Sequence, residues 1–170
     1  MAGPPAPELP LTSEEVPRRL VAVFAGPVAE YLLRFGVELG FHAVLVEPDP
    51  VRLQGTPRPH GDQVVAAFDA ARLDEHTDVV FTDHHRPEIG EVLESALAAR
   101  TRWIGILGNP RHEGPHVAAL KERGVGDDEI ARVHRPVGLN IGSRTPAEIA
   151  VATLAGLIAD RNGRPGGFEF

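Results

Sequence analysis

The stretch "RLVAVFAGPVAEYLLRFGVELGFHAVLVE" (residues 19–47) changes its hydrophobic period twice. Its opening RLVAVF is an apolar, β-branched run of the length of a buried strand. Ala25, Gly26 and Pro27 interrupt that run. The following VAEYLLRFGVELG sets Val28, Leu32, Phe35 and Leu39 at helical spacing, and Gly40 supplies a C-terminal stop. HAVLVE then reads as a second buried strand, closed by an acid and by Pro48, Asp49 and Pro50. Strand, tight turn, helix and strand in about 30 residues form a βαβ unit. Its strands must be parallel and its crossover right-handed.

The same alternation continues outward. Residues 51–61 hold Pro57 and Pro59 and are expected to be a loop. QVVAAF (63–68) fits either a strand or a short helix, and a helical turn is expected through Leu73. DVVFTD (78–83) predicts a third buried strand. EIGEVLESALAAR (88–100) predicts a helix with Ile89, Val92, Leu93, Ala96 and Leu97 on one face. TRWIGILG (101–108) is a fourth strand, followed by a helix over 116–124, a short helix over 127–133 and a last helix from Pro146. The pattern specifies a Rossmann-like α/β fold: an open, mostly parallel sheet with helices on both faces. One domain is expected over 18–162, between a flexible Pro-rich tail (1–17) and a flexible C-terminal tail (163–170).

Composition narrows the function. The net charge is −7 and no basic stripe is present, which argues against nucleic acid as a partner. The chain has no cysteine, so disulfides, thiolate metal sites and a cysteine nucleophile are excluded. The N-terminus lacks the basic and apolar regions of a secretory signal. The most apolar stretch, 147–159, carries Glu148 and is too short to span a bilayer. A cytoplasmic protein without membrane contact is the expectation.

Candidate binding residues cluster after the strands. In the first turn, Gly26 and Pro27 precede a helix whose N-terminus suits a pyrophosphate, although Phe24 stands where a dinucleotide fingerprint has its first glycine. Glu47, at the end of the second strand, is placed to accept hydrogen bonds from a ribose diol, with Asp49 able to share that role. An acid there favours NAD over NADP by repelling a 2′-phosphate. Thr82, Asp83, His84 and His85 follow the third strand, at the edge where open α/β sheets bind ligands. Adjacent histidines suggest a metal, but no metal-ligand motif is present, and ligand or partner contacts are the expected role. Gly108 and Asn109 open the loop after the fourth strand, where Arg111 and His112 offer an anion contact; a Gly-Asn-Pro turn entering a helix is the alternative.

The segment "PVGLNIGSRTPAE" (136–148) joins a glycine loop to a helix start. Thr145, Pro146 and Glu148 fit a capping box, which explains the helix start but not the glycines. Gly138 and Gly142, with Asn140, Ser143 and Thr145, therefore suggest close backbone approach of an anionic ligand; close packing on a neighbouring element is the alternative.

These stretches resemble the Rossmann-type domain of the XdhC/CoxI family, accessory proteins of xanthine dehydrogenase and related molybdenum hydroxylases. "PVGLNIGSRTPAEIA" (136–150) matches that family's closing motif at nearly every position. "WIGILGN", "TDHH" and "FAGPVA" correspond to its other motifs, with Asn109, the displaced histidine and Phe24 as departures. The resemblance implies a maturation factor that binds molybdenum cofactor (molybdopterin), assists its sulfuration by a cysteine desulfurase and delivers it to an apo-enzyme of the molybdenum hydroxylase class. It implies a homodimer, and a separate polypeptide of the family's N-terminal type, since that cysteine-bearing domain is absent from this chain. Two other readings remain open: an NAD(P)-dependent oxidoreductase, and a non-catalytic interaction subunit with a degenerate nucleotide site. No catalytic residue is assigned.

Overall fold

The computed structural model describes residues 18–54, 62–68, 73–109 and 111–167. The βαβ reading of the first segment is confirmed: β1 (Arg19–Val23), α1 (Pro27–Glu38) and β2 (His42–Val46), with β1 and β2 parallel. There follow α2 (Pro50–Gln54), β3 (Gln63–Val65), β4 (Thr77–Phe81), α3 (Ile89–Ala98), β5 (Trp103–Ile106), α4 (Pro115–Glu122), α5 (Asp127–Ile130), β6 (Val133–His134) and α6 (Pro146–Arg161). The strands form one parallel sheet in the order β3-β2-β1-β4-β5-β6. This is the doubly wound order, and its direction of winding reverses between β1 and β4.

Period-two alternation sends each strand's side chains to two separate cores. Val21, Val23, Val79, Phe81, Ile104 and Ile106 face the layer of α3, α4 and α5, through Leu93, Leu120 and Ile130. Leu20, Ala22, Leu45, Val80 and Trp103 face the layer of α1 and α6, through Leu32, Leu33, Leu154 and Leu157. Continuous apolar strands are what a sheet covered on both sides requires.

Three expectations are corrected. Part of the segment expected to be a loop, from Pro50, is the short helix α2; the described portion ends at residue 54. The segment over 127–133 ends as a helix at Ile130, and Val133 and His134 pair with Ile104 and Gly105 as a sixth strand. Two residues are too short for a period to be read. In α1 the buried stripe is Ala29, Leu32, Leu33 and Gly36, so Leu39 is half exposed instead of facing the core. The residue beyond, Gly40, takes positive φ and ends the helix as expected. After α6, Arg164 donates its amide to the Ala159 carbonyl, and Gly166 lies beside the Leu139 side chain. The expected N-terminal tail, and the helical turn expected at 69–72, lie outside the described residues.

Candidate functional site

Because every strand is parallel, the segments after β1, β2, β4, β5 and β6 all emerge at one edge of the sheet. The candidates that directly follow β1, β2, β4 and β5 are on that edge, whereas Gly138, after β6, lies against the middle of α6. The structure divides them into three groups.

The first group surrounds the β1–β4 crevice. Phe24 adopts a left-handed backbone, φ 76°, so a phenylalanine makes the turn that a glycine would make freely. Its ring is fully buried, edge-on to Phe81 at 5.9 Å, and does not enter the crevice. The guanidinium of Arg86 lies 4.4 Å over the same ring. Arg86 in turn forms a two-pronged pair with Glu47, at 3.0 and 2.6 Å. Glu47 also accepts the amides of Ala25 (2.7 Å) and Asp49 (2.9 Å).

This corrects the role expected of Glu47. A carboxylate has about four acceptor positions, and here Arg86, Ala25 and Asp49 fill them; the side chain is fully buried, with nothing left for a ribose. Burial pushes the Glu47 carboxyl up, but the Arg86 hydrogen bonds, the Asp49 and Ala25 amides and the Arg86 charge outweigh it and hold it below its ordinary value. Arg86 is held protonated, mainly by the Glu47 hydrogen bond. Sequence reasoning passed over Arg86. The available signal was an arginine in the segment after β4 and an acid at the end of β2, two strands away on the same edge.

Thr82 has a similar bracing role, since its single hydroxyl proton is shared between the Val23 and Phe24 carbonyls, 2.9 and 2.8 Å away. Asp49 accepts the Val51 amide and so opens α2, while its other oxygen lies 3.6 Å from Arg52. What these bonds leave open is the start of α1. Gly26 is its N-cap in extended conformation, no side chain caps it, and Pro27 occupies the first turn. A Cβ built on Gly26 would meet nothing within 4 Å. The helix therefore presents uncapped backbone toward solvent at the switch point, the arrangement that suits an anion.

The second group follows β4 and β5. Asp83 accepts the His85 amide, and the His84 and His85 rings lie 4.0 Å apart. Burial, His85 and Arg135 lower the His84 pKa. Asn109 accepts the Arg111 amide, and Arg111 is exposed. Gly108 packs against the guanidinium of Arg135. Among the described residues, no three His, Asp or Glu side chains gather as a metal site.

The third group, before α6, is tied off. Glu148 accepts the amides of Arg144 and Thr145, and Thr145 accepts the amide of Glu148, completing the capping box. Gly138 has φ 88°, and a Cβ there would collide with the α6 backbone at Ala152 and Thr153. The packing alternative for Gly138 is the one the structure adopts. At this helix start the capping box takes the amides of Arg144, Thr145 and Glu148. Gly142, φ 69°, stands in open space; Asn140 is exposed and Ser143 half-buried beside it. No helix among the described residues is long and apolar enough to cross a membrane.

Known proteins share this framework. The chain is 31% identical over 157 residues to the uncharacterized protein YqeB of Escherichia coli, covering 88% of this chain and 28% of that protein. It is 27% identical over 148 residues to a probable xanthine dehydrogenase component of Bacillus subtilis, covering 84% and 43%. A crystal structure described as a xanthine dehydrogenase, from Bacillus halodurans, superposes with a TM-score of 0.69 at 27% identity, covering 90% of this chain and 45% of that one. The chain thus spans less than half the length of each of these relatives. Residues 20–157 match the XdhC Rossmann domain, and the chain belongs to that family.

Proposed function

We propose that this chain is the cofactor-handling domain of a xanthine dehydrogenase accessory protein. It binds molybdenum cofactor at the β1–β4 crevice, assists its sulfuration and passes it to a molybdenum hydroxylase apo-enzyme, with the cysteine chemistry supplied from outside this domain. The observation that carries the reading is the uncapped start of α1, open at Gly26, in a family and beside relatives whose names point to xanthine dehydrogenase. A pterin phosphate needs that helix start and no ribose acceptor.

Glu47 separates this ligand from NAD. With its carboxylate consumed by Arg86 and two amides, the acid that would clamp an adenine ribose is missing from the crevice, and Asp49 alone remains to take its place. The interaction-subunit reading rested on Phe24 crowding the crevice, and that ring is in the core instead. A non-catalytic carrier, acting as a homodimer, is therefore the proposal.

The test is thermal unfolding of the chain with molybdopterin, NAD or NADP, repeated in Gly26→Asp. Aspartate is a favourable N-cap, so the variant should fold with stability within about 0.5 kcal/mol of the parent. Its carboxylate occupies the helix start and repels phosphate, and affinity should fall about tenfold or more. A ligand at about a hundred times its Kd stabilises by about 2.7 kcal/mol, a readily measured shift. Stabilisation by NAD with turnover of a carbonyl substrate would replace the proposal with the oxidoreductase. Equal molybdopterin affinity in parent and variant would remove the α1 site.

A further inference from the structure

The segments that follow β5 and β6 enclose a cationic cluster that the cofactor site does not use. Arg135, just after β6, has its guanidinium flat against Gly108 and its stem against Gly114. Its Nη1 donates to the His112 carbonyl, whereas its Nε is buried without a hydrogen-bond partner. The His116 ring, in the first turn of α4, packs on the same Gly114. His116 is 4% exposed, and its Nδ1 too is buried and unpartnered. Side chains at positions 108 and 114 would occupy the space that the guanidinium and the imidazole take, so both glycines serve this cluster.

Two buried, unsatisfied polar nitrogens, Arg135 Nε against Gly108 and His116 Nδ1 against Gly114, are a cost to the fold, because each has lost water and gained no partner. The charges around them are mostly of one sign. Burial first, and then Arg135 and His84, depress the His116 pKa, with Glu113 alone opposing them. Burial, His85 and Arg135 depress that of His84, opposed by Asp83 and by a hydrogen bond with the Leu107 backbone. Arg135 and His116 thus meet at Gly114, and His84 bonds to the backbone of Leu107, next to the Gly108 on which the Arg135 guanidinium lies. A multidentate oxyanion accepts hydrogen bonds from several directions and relieves both the missing partners and the repulsion.

We propose that Arg135, His84 and His116 form a binding site for a phosphate-type oxyanion, separate from the start of α1. The exposed turn at 111–113 is hydrogen-bonded to the same guanidinium through His112, and its displacement admits the anion. Arg135 supplies the permanent charge, and the two imidazoles take up protons as the anion binds. Because the probe is a free inorganic ion, the outcome does not depend on which cofactor the crevice holds.

The experiment follows the histidine side-chain nuclear magnetic resonance signals of the whole chain during titration with inorganic phosphate, with acetate in a parallel arm. Phosphate should shift the His84 and His116 signals together, along one saturable curve, and raise the pKa of both. Arg135→Gln should weaken phosphate about tenfold, while Gly26→Asp leaves it unchanged. If Arg135→Gln disturbs the fold, His84→Gln replaces it: phosphate affinity falls and the His116 signal still reports. The proposal is overturned if phosphate leaves both signals in place, if it moves only exposed histidines such as His85 and His112, if acetate binds equally well, or if Gly26→Asp abolishes the response.

Discussion

The starts of α1 and α6 carry the same features in the sequence: glycine ahead of the helix and proline in its first turn. In three dimensions they are opposites. At α6 a threonine and a glutamate satisfy the free amides, and Gly138 is pressed against the helix it precedes. At α1 no side chain caps the helix, and Gly26 faces open space. A glycine beside a helix N-terminus marks either a ligand's approach or a packing seam. What separates the two is whether the first-turn donors are already used, and what a Cβ would touch.

The largest expected effect tests the frame behind the open end. Glu47→Gln removes the closer of the two carboxylates on buried Arg86, leaving only the longer Glu88 contacts at 3.3 Å, and should cost about 3–5 kcal/mol in chemical denaturation. The double variant Glu47→Leu, Arg86→Met should recover only part of that loss, because it removes the buried charges but leaves the Ala25 and Asp49 amides without their acceptor. Since the folded Glu47 carboxyl lies below its ordinary value, its contribution is present at and above the ordinary carboxylate range and is lost as pH falls through the lowered value. The parent should therefore lose more stability than Glu47→Gln on acidification. Equal acid profiles would mean that the pair does not hold the crevice.

Next comes the seam. Gly138→Val adds a branched side chain where φ is 88° and the α6 backbone is already in contact. The strain and the displaced helix together should cost about 3 kcal/mol. If the variant instead keeps its stability and loses ligand, the seam is a binding surface after all. The smallest effect is Thr145→Ala, which removes one cap and should cost about 1 kcal/mol in the same assay without changing ligand affinity. A drop in affinity there would make the two helix starts alike.

Much of the edge was legible in the chain. Every residue chosen for a ligand does follow a strand at its C-terminal end, because parallel strands leave no other edge for these turns. Their individual roles were not legible. Glu47 reads as a ribose acceptor until Arg86, 39 positions away, is seen to occupy it. Phe24 reads as an obstruction until its left-handed turn sends the ring into the core. His116 and Arg135 carry no motif, and only the folded chain brings them against the same glycine.

Local physics thus determined the alternation of strands and helices, the capped start of α6 and the parallel sheet, since period, capping chemistry and turn residues act over a few neighbours. The tertiary structure alone decided which carboxylate is free, which glycine is open and which imidazole is left without a partner. Those outcomes depend on donors and charges far apart along the chain, and no short-range pattern records who meets whom.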